Sequence, residues 1–418
     1  MYTFAIALYA FVARLIAPFY KKASLMLKGQ KQTFGILEGT IRKGEKYIWF
    51  HAASLGEFEQ GRPLMERIKA QRPQYKILLT FFSPSGYEVR KNYNGADVIC
   101  YLPFDLPRNV NRFLKLANPS LVIFIKYEFW MNYLTTLHKR GIPTYIISAI
   151  FRPDQVFFKP YAQQYKHVLN TFDKIYVQDK ASEELLIKNH ISPVLTCGDT
   201  RFDRVLDINA QTKVLPVLQA FYENKTENKG LSLITGSSWP EDEAIFIPYF
   251  NTNPGMKLII APHEIHDRHL KEITSRLKRP YIFYTEATEE NVKEVDCIIM
   301  NCIGLLSSAY RYADVAYIGG GFGVGIHNVL EAAVYGMPVL FGPNYHKFRE
   351  AKDLIENGGG FPVANASEFR KKMAELETST ENLKQSGEKA GHYVHSNGGA
   401  TEVIFEELFG CLDTNRSF

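Results

Sequence analysis

The chain is short of cysteine, of net charge and of repetition. Its five cysteines (Cys100, Cys197, Cys297, Cys302, Cys411) are odd in number and never in CxxC spacing. That excludes a disulfide framework and a zinc ribbon, and reads as reduced, mostly buried thiols in a cytoplasmic setting. The net charge of +5 is too small for a dedicated nucleic-acid binder, though it suits anionic substrates or a membrane surface. No short-period repeat or low-complexity segment occurs. Asp, His and Cys nowhere cluster with ligand spacing, so neither a metal nor another cofactor is expected. What remains is ordinary globular composition, 46% hydrophobic and 22% charged, in 418 residues, a length that favours two domains.

The N-terminus departs from the ordinary. MYTFAIALYAFVARLIAPFY is apolar and aromatic, broken only by Arg14, and is followed by Lys21, Lys22, Lys28 and Lys31. A spanning helix needs about 20 apolar residues, so residues 1–22 read as a membrane-anchor helix, with the lysines keeping the rest of the chain cytoplasmic. No small-residue cleavage site follows, which favours retention over processing. Arg14 keeps an interface-lying helix open, and a buried core helix with a basic tail is the other alternative.

Apolar runs rich in β-branched and aromatic residues alternate with helix-like stretches along both halves. The first half carries 47–51, 75–82, 98–102, 121–125, 144–149, 174–177 and 194–197; the second carries 231–235, 257–261, 281–284, 297–300, 315–318 and 339–341. Continuous rather than alternating runs predict parallel strands covered on both faces. The expected fold is α/β, with two Rossmann-like doubly wound domains, 23–205 and 230–395. A polar linker (206–229) joins them, and a C-terminal helix (396–418) follows. In such folds ligands bind at the carboxyl ends of strands, so the loops there are where chemistry should be sought.

In the first half, His51 to Glu59 (HAASLGEFE) places Glu57 in the first turn of a helix, where a carboxylate can take a proton from an attacking hydroxyl. A helix-dipole acid is its plain alternative, and Glu59 competes for the role. Lys126-Tyr127-Glu128-Phe129-Trp130 is poor core material at a strand's end and reads as active-site. Asp105, in YLPFDLP, fits a turn residue. Arg201 suits developing negative charge, or else an ion pair with Asp203.

The second half is densest in signal from Ala313 to Phe348. Strand 315–318 empties into Gly319-Gly320-Gly321-Phe322-Gly323-Val324-Gly325, and His327-Asn328 opens a predicted helix bearing Glu331. Glycines let backbone approach a ligand, helix starts favour anions, and Glu331 suits ribose hydroxyls or a capping box. A nucleotide-sugar site is favoured, a tight βα turn being the alternative. A dinucleotide fingerprint would lie in the first βαβ unit with an acid about 20 residues on, so a dehydrogenase is disfavoured. Thr235 to Glu243 resembles a capped helix start. Pro262-His263-Glu264 ends one strand, and Asn301 to Leu306 ends another.

Taken in order, HAASLGE, YLPFDLP, KYEFW, the 198–203 segment, Pro262 and GIHNVLEAAVYGMPVLFGP make the chain resemble the bacterial 3-deoxy-D-manno-octulosonic acid (Kdo) transferases of lipopolysaccharide core synthesis. The resemblance covers nearly the whole chain. It implies a GT-B fold, whose two domains face each other across a cleft, and transfer of Kdo from CMP-Kdo to a lipid A precursor (lipid IVA) at the cytoplasmic side of the inner membrane. By motif it implies Glu57 as general base, with Glu128 and Arg201 as transition-state stabilisers. Its CMP contacts fall on Pro262, His263, Ile303, Gly304, Leu305, Asn328, Val329, Leu330 and Glu331. Two motifs depart from the family pattern: Pro-Arg-His becomes Pro262-His263-Glu264, and Met-Gly-Glu becomes Ile303-Gly304-Leu305. A nucleotide-sugar 2-epimerase and another lipid-acceptor GT-B transferase are the rival enzymes, and a membrane-tethered binding protein is the non-catalytic one. The apolar, lysine-trailed N-terminus speaks against the epimerase.

Overall fold

A computed structural model describes residues 1–159, 162–223 and 230–410 and divides the chain into two compact units. Unit 1 comprises Met1–Arg204 and returns from Gly398 onward; unit 2 is Val205–Asn397. Cys411 and residues 224–229 lie outside the described residues.

Unit 1 is built on a seven-stranded sheet: β1 (Lys46–Ala52), β2 (Tyr75–Phe81), β3 (Val98–Tyr101), β4 (Pro119–Ile125), β5 (Thr144–Ala149), β6 (Lys174–Val177) and β7 (Val194–Thr196). Its order is β3-β2-β1-β4-β5-β6-β7, all parallel. Successive residues of β1 go to opposite faces, and both faces are covered. Tyr47 and Trp49 join one apolar cluster, while Ile48, Phe50 and Ala52 join the other. Two buried faces explain why the strands read as unbroken apolar runs. The strand order reverses between β1 and β4, the switch point of a doubly wound sheet.

Unit 2 repeats the plan with β8 (Ser232–Ser238), β9 (Lys257–Pro262), β10 (Tyr281–Phe283), β11 (Cys297–Ile299), β12 (Val315–Ile318), β13 (Val339–Phe341) and β14 (Gly360–Pro362). Their order is β10-β11-β9-β8-β12-β13-β14, again parallel, with the reversal between β8 and β12. The doubly wound α/β class expected from the apolar runs is what each unit shows. Strand β14 was not expected, because Gly360-Phe361-Pro362 carries none of the β-branched pattern.

Three boundaries differ from expectation. The apolar N-terminus is not one helix. It ends at Ile16, residues 17–20 turn around Pro18, and Lys21–Thr40 forms a second helix that carries all four lysines. Proline disfavours helix in the residue before it, which accounts for the break. No single helix among the described residues is long and apolar enough to cross a membrane; the two N-terminal helices pass that test only as a pair bent by 116°. The expected linker also holds structure. The helix Thr200–Ala210 runs into it, and Pro216–Glu223 buries Leu218, Ala220 and Phe221 within unit 2. Finally, the C-terminal helix is Ala400–Phe409 and is part of unit 1. Its Ile404, Phe405, Leu408 and Phe409 complete the cluster around Phe50 and Phe58. Asp203 caps its start, accepting from the Gly399 and Thr401 amides at 2.6 and 2.7 Å.

The first helix is amphipathic in an unusual sense. Its small residues, Ala10 and Ala13, face inward onto Met26, Tyr101 and Phe104. Phe4, Leu8, Phe11, Leu15 and, just beyond, Phe19 point outward at 75, 53, 55, 57 and 91% exposure. The second helix lies close against β3. A Cβ on Gly29 would stand 2.1 Å from the Tyr101 ring, whereas one on Gly35 would meet nothing within 4 Å. Gly29→Ala should therefore cost about 1–3 kcal/mol through overpacking. Gly35→Ala should gain about 0.5–1 kcal/mol of helix propensity. Urea unfolding of the two variants checks this, and equal midpoints would contradict the packing described.

Candidate active site

Each strand of a parallel sheet delivers its following loop to the same edge, so the motif loops of unit 1 converge by topology alone. The turn after β1 starts the helix Leu55–Gln71 with Ser54 as N-cap and Glu57 three residues on, a capping box. Ala53 and Ser54 amides donate to Glu57 Oε2 at 2.5 and 3.1 Å. The capping alternative and the active-site reading thus meet in one side chain. Across the switch point, β4 ends at Ile125 and Lys126 takes a left-handed φ of 66°. That kink turns the chain sharply before Glu128, which is 8% exposed.

Glu57 and Glu128 are close enough to repel. Burial first, then the Glu128 charge, raises Glu57 from 4.5 to about 7, while the two amides and Lys126 pull the other way. A carboxylate poised there can act as a base near neutral pH. Glu59, its competitor, is occupied elsewhere: Arg90 lies 2.7 Å from it, with Arg62 and Arg204 each at 3.7 Å.

Positive charge gathers beside the pair. Arg201 pairs not with Asp203 but with buried Asp199, at 2.7 Å. Burial acts to raise the Asp199 carboxyl, but the Arg201 charge and hydrogen bonds outweigh it and hold it low. Gln60 adds a hydrogen bond to Asp199 at 3.2 Å. Burial raises the Tyr127 phenol; Arg152 and Arg201 draw it down and Glu57 pushes it up, so these charges surround that ring. Asp105 proves structural. Fully buried, it accepts from the Asn132 and Tyr133 amides, each at 2.9 Å, and from the Tyr2 hydroxyl at 2.7 Å. Burial lifts it to about 6 against those three bonds.

Unit 2 gathers its motif loops in the same way. Pro262 and His263 end β9, Ile303 to Leu305 follow β11, and the glycine loop follows β12. Asp242, fully buried, ties two loops together, accepting from the Trp239 and Gly320 amides, each at 2.9 Å, and from the Tyr317 hydroxyl at 2.9 Å. Most of the glycines serve packing. A Cβ on Gly319 would be 2.3 Å from the Ser237 carbonyl, and Gly321 backs onto the Gly342 backbone at 2.5 Å. Amides of Gly319, Gly320, Gly323, Gly325 and His327 are all bonded within the protein. The loop is thus largely the tight βα turn named as the plain alternative. The helix expected from His327 is a single turn, Leu330–Ala333. Val329 and Leu330 are fully buried, so only their backbones are available. Asn328 Nδ2 donates to Glu331 Oε1 at 3.0 Å. Ile303 is 87% exposed, and Gly304 adopts φ 92° with open space at its Cα. Among the described residues, no three His, Cys, Asp or Glu side chains form a metal-holding group.

Three residues escaped the sequence reading. Trp239 Nε1 donates to His327 Nε2 at 3.3 Å, and His263 stacks on both rings at 4.6 Å. Burial, then His263, keeps His327 below its usual pKa. In unit 1, His51 lies fully buried against Glu128. The motif HAASLGE contained His51, but only the fold shows where its ring points.

Solved structures similar in fold include UDP-GlcNAc 2-epimerase from Neisseria meningitidis (TM-score 0.60, 15% identity, 87% of this chain and all of that one) and Acinetobacter baumannii MurG (TM-score 0.54, 12% identity, 87% and 99%). Two parallel doubly wound units with these neighbours define a protein of the GT-B class. Within that class, residues 28–204 match the family "3-Deoxy-D-manno-octulosonic-acid transferase (kdotransferase)". The 3-deoxy-D-manno-octulosonic acid transferase of Aquifex aeolicus is 28% identical over 79% of this chain and 85% of its own length, and that of Chlamydia muridarum 25% identical over 92% and 93%. The chain is thus similar over most of its length to Kdo transferases, which are glycosyltransferases.

The raised Glu57 carries a sign that can be checked. Its folded pKa lies above the ordinary value, so its favourable contribution is complete below about pH 4.5 and is lost as pH rises through about 7. Glu57→Gln, neutral throughout, should therefore gain stability relative to the parent as pH goes from 5 to 8. Urea midpoints across that range would show the gap widening; a constant gap would mean Glu57 is an ordinary surface acid.

Proposed function

We propose that this protein is a Kdo transferase that moves Kdo from CMP-Kdo to a lipid A precursor, with Glu57 as general base. One observation carries the reading: Glu57 and Glu128 share the switch point of unit 1, beside Lys126 and Arg201. In this scheme Glu57 takes the proton of an acceptor hydroxyl, whose oxygen attacks the anomeric carbon of Kdo. The bond from that carbon to the CMP phosphate oxygen breaks, and CMP leaves. Glu128 meets positive charge developing on the sugar, and Arg201 meets negative charge on the departing phosphate. For CMP itself we assign Pro262, His263, Ile303, Gly304, Leu305 and Asn328 to Glu331, all at the carboxyl edge of the sheet of unit 2. The missing arginine of the Pro-Arg-His motif leaves His263 as the side chain there.

A donor panel tests this. Purified protein with labelled CMP-Kdo and lipid IVA should give Kdo-lipid product by thin-layer chromatography, and Glu57→Gln should lower the rate about 10²–10⁴-fold. Interconversion of UDP-GlcNAc with no transfer from CMP-Kdo would instead favour the epimerase reading.

We further propose that the first helix lies in the inner-membrane interface rather than spanning it. Fifteen residues rise only about 22 Å, short of a hydrocarbon core of about 30 Å. Its outward phenylalanines and leucines fit acyl chains, and Lys21, Lys22, Lys28 and Lys31 fit anionic headgroups, each worth about 1 kcal/mol near such a surface. Replacing Phe4, Phe11, Leu15 and Phe19 with serine should release the protein from anionic vesicles, and replacing the four lysines with glutamine should weaken binding most at low salt. Unchanged vesicle sedimentation for both sets would overturn the assignment.

A further inference from the structure

His51 is fully buried at the end of β1, and no step proposed above uses it. Its Nε2 lies 3.0 Å from Glu128 Oε2, and its Nδ1 lies 2.9 Å from Thr80 Oγ1. Thr80 Oγ1 is in turn 2.7 Å from Trp49 Nε1. An indole nitrogen only donates, so Trp49 fills a lone pair of Thr80. The hydroxyl hydrogen of Thr80 then has two acceptors, His51 Nδ1 and, at a longer 3.3 Å, the Phe50 carbonyl. A carboxylate oxygen only accepts, so the 3.0 Å contact with Glu128 places an imidazole proton on Nε2, with Nδ1 set against Thr80 Oγ1. Trp130 Nε1 lies 2.6 Å from the same oxygen and 3.1 Å from His51 Nε2; its single N–H goes to the nearer carboxylate oxygen, a second donor to Oε2.

We infer that His51 is a positioning residue for the transfer reaction. Through the buried chain Trp49–Thr80–His51 it fixes the rotamer of Glu128 beside Glu57. The role rests on the reading of Glu57 and Glu128 given above. Oε2 is held by His51 and Trp130, which leaves Oε1 to turn toward the reacting sugar. Two carboxyls this close share their last proton. Burial and then the Glu128 charge raise Glu57, which must release its proton to work as a base. The other charged or titratable groups around the pair are Lys126 and Tyr127 on the same loop, Arg152 after β5, Asp179 after β6 and Arg201 after β7. None of them is hydrogen-bonded to Glu128 in place of His51.

The test is a pH–rate profile on the full chain with CMP-Kdo and lipid IVA. His51→Phe keeps an aromatic ring but removes the donor. Loss of a buried, charge-assisted bond should lower kcat about 10- to 100-fold with little change in KM. The pair should then become fully ionised only at higher pH, moving the acid limb of kcat up by about one unit. His51→Gln, whose amide nitrogen reaches the place of Nε2, should recover most of both losses; a purely packing role would leave it no better than phenylalanine. A folded His51→Phe with the kcat and acid limb of the parent overturns the inference, as does a glutamine variant equally impaired. Should His51→Phe fail to fold, Thr80→Val carries the test. It removes the hydroxyl and leaves Nδ1 facing the backbone carbonyl of residue 80 at 3.2 Å, which draws the imidazole proton away from Nε2. The same fall in kcat and the same shift of the limb are expected, and a parent-like profile overturns the inference. Glu57→Gln run in parallel separates the two readings. If it retains full turnover, the assignment of the base fails. If it is dead while His51→Phe matches the parent, only the role of His51 fails.

Discussion

Two carboxylates cannot be held close in a half-dry pocket unless something prevents one from simply taking a proton or swinging away. Unit 1 meets that constraint from opposite sides. Glu57 is pinned by two backbone amides at a helix start, where the partial positive charge of the helix also favours an anion. Glu128 is pinned by two ring N–H groups, from His51 and Trp130. Held this way, Glu57 is raised to about 7 by burial and then by the Glu128 charge.

Unit 2 shows a different economy. Its glycine run looks in sequence like a surface waiting for a phosphate, yet the backbone there is mostly occupied with itself. Gly319 and Gly321 exist because neighbouring backbone leaves no room for a side chain. Chemical character is carried instead by the ring cluster of Trp239, His263 and His327 and by the Asn328–Glu331 pair.

The strands were legible because both faces of each sheet are buried, so apolar residues run without interruption. The edge strand β14, made of glycine, phenylalanine and proline, has no such run and was missed. The region taken as a linker misled for the opposite reason: charged and amide residues around it masked the apolar face of Leu218 and Phe221. Pro18 was visible, but an unbroken apolar string outweighed it, and the helix stops two residues earlier. For the candidate site, spacing pointed to Glu57 and Glu128, since both sit at strand ends in loops unlike core. His51, Trp239 and His327 required three dimensions, because one letter does not reveal the direction of a ring.

The Tyr2 hydroxyl ties the start of the chain to the segment that follows the Glu128 loop. It donates to Asp105, whose oxygens also hold the amides of Asn132 and Tyr133, and it accepts from the Met131 amide at 3.3 Å. Met131 immediately follows Trp130, the second clamp on Glu128. An affinity tag fused ahead of Met1 therefore joins the chain one residue before Tyr2, whose hydroxyl is bonded directly to the Met131 amide. Trimming the first few residues leaves Asp105 buried and short of one donor. Expression strategy and enzymology are not independent for this protein, and a tag at the other end of the chain leaves Tyr2 undisturbed.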